Sequence, residues 1–392
     1  MTGVYPPLAA ASRTAQPTTY DAILVAGFGG PEGQDDVIPY LRNVTRGRGV
    51  PDERLEEVAH HYRHFGGISP INAQNRDLVA ALEGEIGRRG LNLPVYWGNR
   101  FWAPYFADAL RQLHADGHRR VLVVVTTAFA SYSGCRAYRE DLATALEETG
   151  LTGEVVLDKV RQYFDHPGFV EPNIDAVREG LRTLREAGNG GAPHVMFATH
   201  SVPSAAADAS GPRESLPDGT AVPTGGGDQW YAGGGWYAAQ QRAVAALIMD
   251  RLVEEFGVVA WSLVYQSRSG DPRVPWLEPD INVAIEALDD AVTGLVISPL
   301  GFVSDHMEVA WDLDNEALET CAERGLAAVR VPTVGVDERF VSGLVDLIEE
   351  RHVGAGGQPS QRQALTDLGP WQDVCPADCC LGRADKATIA SA

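Results

Sequence analysis

The chain has 392 residues, more than one ordinary hydrophobic core absorbs, so two domains are expected. Its net charge of −21, from 32 basic and 53 acidic residues, argues against general binding to nucleic acid or to anionic membranes, both of which reward positive surface. No stretch approaches the roughly 20 uninterrupted apolar residues of a membrane span, and residues 1–19, which lack a basic start followed by an apolar core, read as a disordered tail of a cytoplasmic protein.

In chain order, the apolar run 21–27 ends in glycines and leads into a helical pattern through Val37, Tyr40 and Leu41, which is a strand, a turn and a helix opening. The glycines at 27, 29 and 30 are not spaced as G-x-G-x-x-G and read as a tight turn or a close backbone approach. A helix is expected over 52–64; its His60, His61 and His64 lack carboxylate or thiol partners at suitable spacing and read as exposed imidazoles. Helices over 72–89 and 106–115 alternate with strands over 94–98 and 120–127, the signature of a mostly parallel sheet. After the Gly-rich stretch 188–193 the pattern restarts. Strands are expected over 194–199, 260–265 and 294–300 and a helix over 237–255, with a long mobile loop over 203–235. The second half echoes the first, which predicts two similar Rossmann-like lobes (20–187 and 188–354) around a cleft, followed by an extension over 355–392.

Two strand ends of the second half carry the candidate chemistry. His200 ends one apolar run. Past the other, Glu308, Asp312 and Glu316 are spaced so that a helix lines them along one face, a solvated surface or a path for cations. An imidazole beside a carboxylate row can bind a divalent metal or exchange protons. A Ser201 nucleophile served by His200 is disfavoured, because neighbours on a strand point to opposite faces and the flanking residues are not G-x-S-x-G. Five cysteines do not make a disulfide framework, and Cys375, Cys379 and Cys380 crowd within six residues.

Several motifs in order resemble the ferrochelatase family: Val25-Ala-Gly-Phe-Gly-Gly-Pro31, Arg46-Gly47, Phe65-Gly-Gly-Ile-Ser-Pro70, Thr199-His-Ser-Val-Pro203, Tyr265-Gln-Ser267 with Pro275-Trp-Leu-Glu-Pro279, and Gly301-Phe-Val-Ser-Asp-His-Met-Glu308. The resemblance spans roughly residues 20–350 and implies insertion of ferrous iron into a porphyrin held in the cleft. It implies His200 on one wall and Glu308 on the other, facing each other around the flat porphyrin centre as the catalytic pair, with Asp312 and Glu316 further along the iron path. Phe28, Arg46, Ser69, Tyr132 and Trp276 are the implied porphyrin contacts, Arg46 suiting a propionate. Many bacterial members carry tyrosine where this chain has Phe28, so no phenol acts there. Cys375, Cys379 and Cys380, with Cys135 from upstream, resemble the ligands of a [2Fe–2S] cluster; a zinc ion or reduced thiols are the alternatives that spacing leaves open, and Cys321 is a buried thiol. The bacterial branch with this cluster implies coproporphyrin III as substrate, with protoporphyrin IX, or cobalt or nickel insertion into a related tetrapyrrole, as alternatives. A non-catalytic tetrapyrrole-binding or iron–sulfur sensor protein would keep the cleft without turnover. A monomer is expected, with contacts to other haem-pathway enzymes and none to nucleic acid.

Overall fold

The computed structural model describes residues 14–212, 234–269, 273–353, 360–382 and 386–390. Two four-stranded parallel sheets organise it. The first is built from β1 (Ala22–Gly27), β2 (Val95–Asn99), β3 (Arg120–Val125) and β4 (Val156–Lys159) in the order β2-β1-β3-β4. The second is built from β5 (Pro193–His200), β6 (Ala260–Gln266), β7 (Gly294–Ser298) and β8 (Ala327–Arg330) in the order β6-β5-β7-β8. The order is the same twice, so β5 stands where β1 does and β7 where β3 does. In each sheet the connections change direction between the two central strands, the place where such sheets open a ligand crevice.

The helices, in chain order, are α1 (Val37–Val44), α2 (Asp52–His64), α3 (Ile71–Arg88), α4 (Phe106–Ala115), α5 (Ala137–Thr149), α6 (Pro167–Glu186), α7 (Ser204–Asp208), α8 (Gly235–Phe256), α9 (Ile281–Glu286), α10 (Met307–Val309), α11 (Leu318–Glu323) and α12 (Glu338–Arg351). Among the described residues none is long and apolar enough to cross a membrane. The two-residue period of the strands sorts their side chains. Ile23 and Val25 on β1, Val195 and Phe197 on β5, and Val296 on β7 share one central core with α3, α6, α8 and α12, while Ala22, Leu24 and Ala26 face α4 and α5. Met196, Ala198, Leu295 and Ile297 face outward under α9 and α11. Each such Val, Leu, Ile, Met or Phe side chain contributes about 1.5–3 kcal/mol on full burial, and the shared core fixes the two sheets against each other.

The boundary expected at 187/188 is not where packing changes hands. α6 lies on the second sheet, against β5, β7 and β8, and α12 returns from the second lobe to pack on α3 of the first. Residues 1–13 of the expected tail lie outside the described residues, but Thr18 is bridged to His352, its N–H donating to Arg351 O at 2.9 Å. The extension is pinned by a buried ionic group: Arg161 pairs with Glu350 at 2.8 Å and Asp165 at 3.3 Å and donates to Gln363 O at 2.6 Å. The loop expected over 203–235 starts instead with the short helix α7; residues 213–233 lie outside the described residues.

Candidate active site

Three strand ends of the second sheet build the site. β5 delivers His200, and β5 and β7 are hydrogen-bonded neighbours, so the segment after β7 passes directly beside it. That approach is tight: the Gly301 N–H donates to Ala198 O at 3.1 Å, and a Cβ on Gly301 would stand 2.3 Å from Thr199 Oγ1. The His200 carbonyl accepts from the Tyr237 hydroxyl at 2.8 Å, and Tyr237 is itself joined to Thr199, whose Oγ1 accepts from Gln241 Nε2 at 2.8 Å. The histidine therefore sits on a strand end braced from below.

His200 Nδ1 faces the Ser201 carbonyl and Nε2 faces Glu308 Oε2 at 3.4 Å. Both ring nitrogens meet oxygen acceptors, which is the environment of an imidazolium. Burial opposes that charge, but the Glu308 carboxylate more than offsets it and pushes the His200 pKa up to about 9. Burial likewise opposes ionisation of Glu308, and the His200 cation brings its pKa down to about 2. The side chains are 32% and 47% exposed respectively, so the pair opens onto the cleft. Both come from the same lobe and touch. The expectation that they face each other across a flat ligand is corrected: adjacent strand ends of one sheet put them on one wall.

The acidic segment continues from α10 as a π-helical stretch, Ala310–Ala317, before α11. Its i→i+5 geometry, frequent at functional sites, brings Trp311 Nε1 to Glu316 Oε1 at 2.8 Å, five residues on. Asp312 lies between Glu308 and Glu316; burial first, then these two charges, push its pKa up to about 7. β6 supplies its partners. Gln266 Nε2 donates to Glu308 O at 3.1 Å and to Asp312 Oδ2 at 3.3 Å, and the Ser267 hydroxyl donates to the same carboxylate. Ser267 has φ 60, the left-handed region that a side-chain-bearing residue occupies at a cost of order 1–3 kcal/mol and that clusters at working sites. His306 caps α10, its Nδ1 accepting from Glu308 N at 3.2 Å; burial and the neighbouring His200 cation lower its pKa, so it stays neutral.

The first lobe supplies the facing aromatics. Tyr40, Tyr62 and Met307 share one cluster against which Phe28, Phe101 and Trp102 pack. Glu308 raises the pKa of both tyrosines after burial has done so. Phe28 packs on Phe101 with ring centroids 4.7 Å apart. Of the three histidines of α2, His60 and His64 are exposed as expected and His61 is half-buried. His61 stacks on Trp311 at 4.1 Å with planes 5° apart, and His60 and His64 approach the same ring edge-on. Helix α2 thereby meets the acidic segment of the other lobe.

The remaining candidates are more scattered. Arg46 is exposed at the end of α1, donating to Asn43 Oδ1 at 2.6 Å. Ser69 is buried, its N–H donating to Pro31 O at 2.9 Å. Trp276 is bridged to Pro203, just past His200. The Tyr132 hydroxyl donates to the buried Glu140 at 3.0 Å, and its ring lies so close to Gly382 that a Cβ there would stand 2.3 Å from it. Ser201 is buried and donates to Leu277 O at 2.8 Å, a structural role. Sequence reasoning missed His306, Gln266, Ser267 and Trp311. The first three lie inside quoted motifs without an assigned part, whereas nothing in the sequence points to Trp311.

Cys135, Cys375, Cys379 and Cys380 form one buried cluster, each 1–2% exposed. Cys379 Sγ lies 3.8 Å from Cys380 Sγ; Gly211 N donates to Cys380 Sγ at 3.1 Å and Gln372 Nε2 to Cys379 Sγ at 3.5 Å. Four cysteines, three from the tail and one from far upstream, with N–H donors aimed at sulfur, suit an iron–sulfur or zinc ion set. Among the described residues no group of three or more His, Cys, Asp or Glu is already arranged to hold a metal ion. Cys321 lies apart, on the buried face of α11, and burial raises its pKa to about 11.

Fold and site together define a two-lobed parallel α/β protein whose cleft holds an imidazolium–carboxylate pair at the head of a carboxylate row. A family model described as ferrochelatase matches residues 20–352. A coproporphyrin III ferrochelatase of Leifsonia xyli is 56% identical over 375 residues, 94% of this chain and 93% of its own. One of Streptomyces griseus is 52% identical over 386 residues, 97% and 98% of the two chains. Among solved structures, SirB from Bacillus subtilis with Fe3+ aligns at TM-score 0.45 and 11% identity, over 85% of this chain and 96% of that one. The chain belongs to the ferrochelatase family.

Proposed function

We propose that this protein inserts ferrous iron into coproporphyrin III, giving Fe-coproporphyrin in haem biosynthesis. The observation that carries the reading is a relative named for that substrate, 56% identical and matched over nearly its whole length, joined to the His200–Glu308 pair at the cleft. Metallation replaces two pyrrole protons by one dication. His200 holds a proton at rest and sheds it before it takes one. A cation approaching Glu308 competes for the carboxylate and weakens the hold on that proton. Asp312, which titrates near neutrality, is the next group able to exchange protons, and oxygen donors along the row hold a hard cation without trapping it. The aromatic residues of the first lobe offer the apolar wall for the macrocycle, with Phe28 as packing and Arg46 for a propionate. The four clustered cysteines hold a [2Fe–2S] cluster in this reading; such a cluster is an electron carrier by chemistry, but metal insertion needs no electron, so the part it plays here is structural.

The experiment is an anaerobic metallation assay with Fe²⁺ comparing coproporphyrin III with protoporphyrin IX. Faster turnover of coproporphyrin III is expected; preference for protoporphyrin IX would overturn the substrate. Cys379→Ser is expected to bleach the visible cluster absorption, and an unchanged spectrum removes the cluster.

A further inference from the structure

Lys159 ends β4 with its side chain 1% exposed. Its ammonium donates to Val160 O at 2.9 Å and to Gln162 Oε1 at 3.3 Å, both neutral acceptors. Among the described residues no carboxylate stands within ion-pair distance of it. A buried cation without a compensating anion is costly, so the fold is expected to supply negative charge nearby. It comes from the sulfurs: Lys159 lies in electrostatic range of both Cys135 and Cys375, and Arg139 in range of Cys375. The placement follows from the sheet. β4 pairs with β3, and the chain beyond them is tied together: Gln162, which accepts from Lys159, donates to Thr127 O at 3.1 Å, and Thr127 Oγ1 donates at 3.0 Å to the carbonyl of Gly134, the residue before Cys135.

As thiols the four cysteines are neutral and leave Lys159 uncompensated. As ligands they are thiolates, and four thiolates around a diferric, sulfide-bridged core carry a net double negative charge, which deepens by one on reduction. We infer that Lys159 is the resident counter-ion of the four-cysteine centre, a buried ammonium that favours the ligated state and makes its reduced form easier to reach. The inference rests on the cluster reading given above. The physical reason is that net charge and groups near the sulfurs set both retention and potential of such clusters. Lys159 touches no reacting atom and is a positioning residue for the centre.

The test uses the full chain purified without oxygen, as wild type, Lys159→Met, Lys159→Gln and Lys159→Arg. Iron and sulfide content, visible spectrum and midpoint potential are measured, with circular dichroism to check the fold. Loss of the charge in the Met and Gln variants is expected to lower the reduced-to-oxidised ratio at a fixed potential about tenfold, a midpoint about 59 mV more negative for a one-electron couple. It is also expected to speed loss of cluster to a chelator, while Lys159→Arg stays near wild type. Gln keeps a hydrogen-bonding side chain and stands in if Met does not fold. Loaded Met or Gln variants with an unchanged midpoint overturn the inference and leave the cluster reading intact. So does a Lys159→Arg midpoint displaced as far as that of Met, because packing and not charge would then be at work. Wild-type protein with neither iron nor sulfide sinks the cluster reading itself.

Discussion

His200 ends β5 as a cation because its two ring nitrogens meet the Ser201 carbonyl and the Glu308 carboxylate. The pairing fixes a pH window. His200 is raised from an ordinary 6.5 to about 9, so its share of stability is complete below 6.5 and lost as pH rises through 9. Glu308 is lowered from 4.5 to about 2, so its share is complete above 4.5 and lost as pH falls through 2. The pair therefore stabilises the fold in full between about pH 4.5 and 6.5. In Glu308→Gln the offsetting charge is gone and burial remains, so the His200 pKa, followed by imidazole NMR, is expected to fall from about 9 to near or below 6.5; a value still near 9 would show that Glu308 does not set it. His200→Ala is expected to cut insertion by about 10²–10⁴-fold, the usual worth of a positioned proton-transfer group, while porphyrin binding by fluorescence quenching persists. Near-wild-type turnover in that variant would end the assignment. Both residues were legible as candidates, since one ends an apolar run and the other heads a row of acids. Their contact was not, because it depends on β5 and β7 being neighbours across about a hundred residues.

At the scale of the element, the acidic segment is the piece that local pattern described least well. The acids every fourth residue read as an ordinary helix, whereas the chain widens into a π-helical stretch over Ala310–Ala317. That form is decided by partners outside the segment: Gln266 and Ser267 hold Asp312 from β6, and α2 lays His61 on Trp311. An aromatic stack of this kind is worth about 1 kcal/mol. Trp311→Ala is therefore expected to raise amide hydrogen exchange in α2 about fivefold, at that energy, with β5 unchanged; equal exchange in both proteins would show that the stack does not tie α2 down. By contrast α2 and α4 fall at the residues their amphipathic patterns indicate, 52–64 and 106–115, because their apolar faces are set by the sequence itself.

Across the whole molecule, the two lobes are held by a shared core and by α6 and α12, each of which packs where its position in the chain does not suggest. The buried Arg161–Glu350–Asp165 group closes the same junction and carries the C-terminal extension. Glu350→Ala leaves Asp165 as the carboxylate paired with Arg161 and is expected to cost about 3–5 kcal/mol, the range for breaking a buried pair, read as a lower midpoint in urea; a loss under 1 kcal/mol would assign the junction to apolar packing instead. The sequence by itself determined the alternation of strand and helix, hence two parallel sheets, and it placed His200, Glu308 and the three crowded cysteines of the tail as the residues of interest, because apolar periodicity and residue chemistry are local properties; Cys135 joined them only through the family resemblance. Only the tertiary structure decided that the imidazole and the carboxylate share one wall, that α6 and α12 exchange lobes, and that Cys135 meets a tail some 240 residues away beside a buried lysine. Those outcomes are set by which strands pair and which faces pack, and both are settled by contacts between segments that carry no record of one another in their own pattern.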